Sequence, residues 1–262
     1  MIFRSVATVF WFESRRALTA SRLVWWGVLT LFPSLIVGMI RMAIADDPNQ
    51  PGPEVWTVFL FALVPMLVSM LGTFLWATPV VSAELEGKSW VYLAVRPYGT
   101  IAVLLGKYLA TIAWVLSSAI ASLILAALIV PLDNVGGIFS TILPLTILSC
   151  PAYAAIYLLL GTLFPKRSMV IAVAYTLIFE LIVSMIPALI NTFTVQFRLR
   201  TLLFQWADIP IRGDTNVLLA FVGNPPAWEH VVVLVAFTLI LLLVAIGVVR
   251  EREFSASEEG NG

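Results

Sequence analysis

Six apolar stretches, Leu23 to Ala45, Trp56 to Val81, Ile101 to Pro131, Ile138 to Phe164, Met169 to Ile190 and Val231 to Val249, take up most of the chain. As a helix, each is long enough to cross the hydrocarbon core of a bilayer, which needs about 20 apolar residues. Lipid offers the backbone no hydrogen-bond partner, so such stretches fold as helices rather than isolated strands. The expected fold class is therefore all-α: a polytopic membrane protein with six transmembrane helices forming one domain over residues 1–262. Composition agrees, because 61% of residues are hydrophobic and 11% charged, against about 25% charged in a soluble domain. Pro33, Pro65, Pro79, Pro144, Pro151 and Pro187 fall inside or near span ends, so kinked helices are expected.

The ends and loops set the orientation. Residues 1–22 mix Phe3, Val6, Phe10, Trp11 and Leu18 with Arg4, Arg15, Arg16 and Arg22, the composition of an amphipathic interfacial helix lying on membrane lipid. The alternative is a helical lead-in to the first span. Its apolar patch is short for a signal-peptide core, so the segment is expected to be retained. With the N-terminus inside, the inner segments hold Arg4, Arg15, Arg16, Arg22, Lys88, Arg96, Lys107, Lys166, Arg167, Arg250 and Arg252, against Arg198, Arg200 and Arg212 outside. Both termini are therefore expected in the cytoplasm, with the protein integral to the plasma (inner) membrane. Residues 250–262 read as a flexible polar tail.

Little in the chain suggests chemistry of its own. The formal net charge is zero, which gives no field to attract nucleic acid. Cys150 is the only cysteine, so there is no internal disulfide or thiolate metal site, and the expected role is a small core residue. Gly87-Lys88-Ser89 resembles the tail of a phosphate-binding loop, but Ser82 stands where that motif needs glycine, and a membrane helix precedes it instead of a strand. No cofactor is expected in this chain. His230 reads as a polar residue at the outer interface. Glu180 lies deep in the fifth span, where a carboxylate is costly and normally faces a bundle interior or a wet cavity. It reads either as a pathway or gating residue, or as a hydrogen-bonded tie between helices. The loop over 191–229 is the one long outer segment, and NTFTVQFRLRTLLFQWADIP within it suggests an interfacial or re-entrant helix.

The inner loop between the second and third spans concentrates charge. Glu84 and Glu86 stand at its start, Lys88 follows, and SWVYLAVR is a helix-compatible run before Pro97, with Gly106-Lys107 opening the next span. Trp90 and Leu93 would give that short helix apolar contacts, a form suited to docking in the groove of a soluble partner. The alternative is a loop whose charges only fix topology.

The pattern E-x-E-G-K-S-W-x-Y-L-x-x-R-P followed by L-L-G-K-Y-L-A resembles the first cytoplasmic loop of ABC transporter permeases of the ABC-2 type. Glu84, Glu86, Gly87, Lys88, Ser89, Tyr92, Leu93, Arg96, Pro97, Gly106 and Lys107 are the matching positions. The six-span layout, basic N-terminus and long outer loop are similar too. The chain departs from the pattern at Tyr98-Gly99-Thr100, where many members carry a basic residue after the proline. The resemblance implies that residues 82–100 form a coupling helix seated on a separate ATP-binding-cassette ATPase subunit, which would hold ATP and Mg. It also implies a second permease subunit, in a homo- or heterodimer, and an exporter without its own ATPase site. An ion-coupled secondary transporter or channel, and a membrane anchor for an ATPase that moves no substrate, are the alternatives.

Overall fold

The computed structural model describes residues 2–45, 51–87, 98–130, 135–186, 189–207 and 225–251. Every regular element among them is helical: α1 (Ile2–Arg16), α2 (Ala20–Ala43), α3 (Pro53–Glu86), α4 (Gly99–Ile129), α5 (Val135–Leu163), α6 within residues 168–185, α7 (Val195–Trp206) and α8 (Ala227–Glu251). Five of these, α2, α3, α4, α5 and α8, are long and apolar enough to cross a membrane, and they coincide with five of the six expected spans. The remaining one, Met169 to Ile190, is not a uniform helix. It is α-helical over Ser168–Tyr175, π-helical over Thr176–Ile182 and 3₁₀ over Val183–Met185, after which Ile186 is extended. Hydropathy reads an apolar run as continuous and is blind to this change of helical register.

The core is built around α5. Of the apolar window that would cross the membrane, 67% is buried in α5 and only 17% in α8. Cys150, Ala152, Ala154 and Ala155 are fully buried beside Tyr153 and Tyr157, and small residues of this kind let neighbouring backbones approach. Gly161 shows the extreme, because a Cβ there would collide with the backbone carbonyl of Thr78 in α3. Gly72 of α3 likewise lies against Val115 of α4. Cys150 is a core residue as expected, its thiol 3.4 Å from the Ser69 hydroxyl.

Prolines act locally. Pro65 sits inside a second π stretch, Ala62–Val68 of α3, and Pro79 follows a turn at Thr78 that bends the same helix. Pro144 and Pro151 stay within α5, which remains α-helical throughout. Pro187 lies outside the described residues.

The N-terminal pair hangs on α4. Along α2, the Trp26 indole donates to Ser117 at 3.1 Å and the Thr30 and Ser118 hydroxyls meet at 3.1 Å. α1 buries Glu13, with Ala17 buried just beyond its end, while Phe3, Trp11, Phe12 and Leu18 are exposed. Its approach to α4 is close at Gly106, where a Cβ would lie 2.6 Å from Val9 Cγ1. Segment 191–229 does contain a helix, α7, but it is packed into the bundle: Val195, Phe197, Leu199, Leu202 and Leu203 are buried, and it lies against α5 and α8.

Candidate functional site

The expected coupling segment is anchored at both ends. Glu84 and Glu86 lie in the last turns of α3, Gly87 closes that helix, and Tyr98 precedes α4 with φ 62°, a left-handed conformation. Lys88, Ser89, Trp90, Tyr92, Leu93, Arg96 and Pro97 lie outside the described residues. Gly106 and Lys107 fall two turns inside α4 rather than at its start, because the helix begins at Gly99.

That offset turns Lys107 inward. Its ammonium is buried, donates to the Glu84 carboxylate and to the Val80 carbonyl at 3.5 Å, and lies 3.8 Å from Glu13. Glu13 in turn meets Arg16 and Arg22, each at 3.8 Å. One cluster thus joins the end of α3, the second turn of α4 and the docked face of α1. A buried charge is tolerated only when paired, which explains why these residue types occur together. Gly106 belongs to the same joint through its contact with Val9.

Glu86 behaves differently. It is exposed and lines an open groove of about 360 Å³ whose other wall is Pro165, Lys166, Arg167 and Ser168. The end of α3 and the turn after α5 therefore face each other across a surface groove with an acidic wall and a basic wall.

Glu180 belongs to a second polar cluster. It is 1% exposed, and lies in the π stretch of α6. Tyr175 donates to Oε1 at 3.1 Å, while the Gln196 backbone N–H at 3.1 Å and the Tyr153 hydroxyl at 3.5 Å reach Oε2. Tyr153 also reaches the Gln196 side-chain oxygen at 3.3 Å, and Gln196 Nε2 lies 2.9 Å from the sulfur of Met66, in the π stretch of α3. Both π stretches thus converge on the start of α7. The Arg200 guanidinium donates to the Ser184 carbonyl at 2.9 Å, holding α7 against α6 a second time. Burial pulls the Arg198 and Arg200 guanidinium groups below their ordinary range. The groove at Glu86 does not reach Glu180. Its geometry is that of a tie between α5, α6 and α7.

His230 is buried, with Nδ1 3.4 Å from Arg198 and its ring edge-on to Phe197. Sequence reasoning did not single out Glu13, Arg22, Tyr153, Tyr175 or Gln196. For Glu13 a signal was present: it shares a helical face with Val6, Val9 and Ala17, and a charge in an apolar stripe demands a partner. Among the described residues no group of His, Cys, Asp or Glu is placed to hold a metal.

No family model matches the chain, and no curated protein matches it.

Proposed function

We propose that this chain is the membrane subunit of an ATP-driven transporter, of the ABC-2 permease type, working as an exporter. Its fifth span is α6, which passes from α to π to 3₁₀ turns along its length. Both termini lie in the cytoplasm, and α1 rests at the inner interface on lipid. ATP and Mg belong to a separate ATPase chain, and a second permease subunit completes the pathway.

The observation that carries this reading is the ion-paired joint between α1, the end of α3 and α4. A loop between α3 and α4 that transmits a push needs a stiff mount, and Lys107, Glu84 and Glu13 tie both ends of this loop to a third helix. Displacement of the loop would move α1, α3 and α4 together. The groove between Glu86 and the Lys166-Arg167 turn adds a charged surface beside it for the same soluble partner.

The test is affinity purification of the tagged chain from its own host in mild detergent, followed by mass spectrometry and an ATPase assay. A stoichiometric ATPase is expected, with activity that falls in E84A/E86A while membrane insertion is unchanged. Purification of the chain alone, without activity, refutes the proposal.

A further inference from the structure

A cavity of about 60 Å³ lies on α4 between the α1–α2 elbow and the bend of α3 at Pro79. Glu13, Arg22 and Lys107 form its charged end; Thr111, Trp76 and Trp114 line the rest. From Lys107 to Trp114 is about 10 Å along the helix at 1.5 Å per residue. The pocket therefore grades from charged to aromatic along the bundle axis. It is partly open to the surface, and α2 packs against the π stretch of α3.

The unused hydrogen-bonding capacity here combines several donors with the Glu13 carboxylate, whose cations all stand at 3.8 Å. Lys107 is occupied by Glu84, Val80 and Glu13. Arg22 has a single partner among the described residues, Glu13 at 3.8 Å, which is beyond hydrogen-bond distance. The Thr111 hydroxyl and the indole N–H groups of Trp76 and Trp114 make no hydrogen bond among the described residues. Among the described residues that line it, two cations, Arg22 and Lys107, face one carboxylate, Glu13, so the charged end is net positive. Spare donors beside a guanidinium select an oxyanion, and phosphate suits the planar fork of arginine. A buried water needs about 10–15 Å³ of such space, so the cavity, at about 60 Å³, has room for a phosphate group. The rest of the ligand must leave by the open side.

We propose that this crevice binds one membrane phospholipid, with its phosphate on Arg22 and Thr111 and an acyl chain leaving between Trp76 and Trp114. Basic pockets between membrane helices hold lipid headgroups in this way, and tryptophans favour headgroup depth. The inference rests on the packing of α1, α2, α3 and α4 and does not require an ATPase partner.

The experiment is native mass spectrometry of the full chain in mild detergent, titrated with palmitoyl-oleoyl phosphatidylglycerol. One lipid per chain is expected, with affinity about tenfold weaker or more in R22Q, the effect of losing a charged hydrogen bond. T111V should weaken binding less, and A110W, which fills the crevice but keeps Arg22, should abolish it. Three results overturn the proposal: R22Q and T111V both binding as the parent does, diolein without phosphate binding equally well, or millimolar inorganic phosphate displacing the lipid. The last would mark a site for a free anion. R22Q and T111V decide the matter if A110W does not fold.

Discussion

Replacing Lys107 by methionine tests the joint most directly. The side chains of Lys107 and Glu13 are each 9% exposed and that of Glu84 is 13% exposed, so solvent screens the cluster poorly. K107M keeps most of the stem volume, and a swap of that kind in a core costs less than about 1.5 kcal/mol. It leaves two carboxylates facing each other without their shared cation, and breaking a buried pair from one side costs about 3–5 kcal/mol. Arg16 and Arg22, already at 3.8 Å from Glu13, would recover part of this, which sets the expected loss near 3 kcal/mol, the low end of that range. In K107M/E84Q one of the two carboxylate charges is gone, and the loss should shrink to about 1 kcal/mol, about 2 kcal/mol less than in K107M alone. Equilibrium unfolding of the purified chain by SDS in mixed micelles, followed by far-UV circular dichroism, reads both numbers. If K107M lies within about 0.5 kcal/mol of the parent, the range of a surface substitution, or if the double variant is no more stable than the single one, the cluster does not act as a unit and the reasoning fails.

Further outcomes follow from the other close contacts. G161A places a Cβ against the Thr78 carbonyl, a backbone atom that cannot swing aside, so a loss of about 1–3 kcal/mol or more should appear as a lower melting temperature in detergent. E180A strips the acceptor from the Gln196 N–H and the Tyr175 hydroxyl, at about 1–3 kcal/mol for each buried group left unpaired; hydrogen exchange should rise at Val195 to Phe197, and less in E180Q. Y98G relieves a left-handed residue and should stabilise the chain by about 1 kcal/mol, seen as a higher midpoint in the same SDS titration.

The spans were readable because length and hydropathy are local properties. Leu23 to Ala45 and Ile138 to Phe164 match α2 and α5 to within a few residues. The π stretches were not readable, since Pro65 announces a disturbed helix but not its register, and nothing near Glu180 announces one at all. Its partners Tyr153 and Gln196 lie 27 and 16 positions away, and only packing brings them together. The inward turn of Lys107 escaped for a similar reason: it depends on α4 starting at Gly99, and boundaries are the least legible part of a helix.

The attachment of α1 and α2 to α4 has a consequence for how the protein is made. Chains are synthesised from the N-terminus and fold as they emerge, so α2 enters the bilayer before Ser117 and Ser118 have been translated. Until then Trp26 and Thr30 carry polar groups into the lipid without their native partners, and Glu13 waits for Lys107. A nascent chain stalled ahead of α4 would therefore hold its first hairpin in an unfinished state, open to quality-control proteases and dependent on insertase contacts. Arrival of α4 would complete three interfaces in one step, making its insertion the commitment point of assembly.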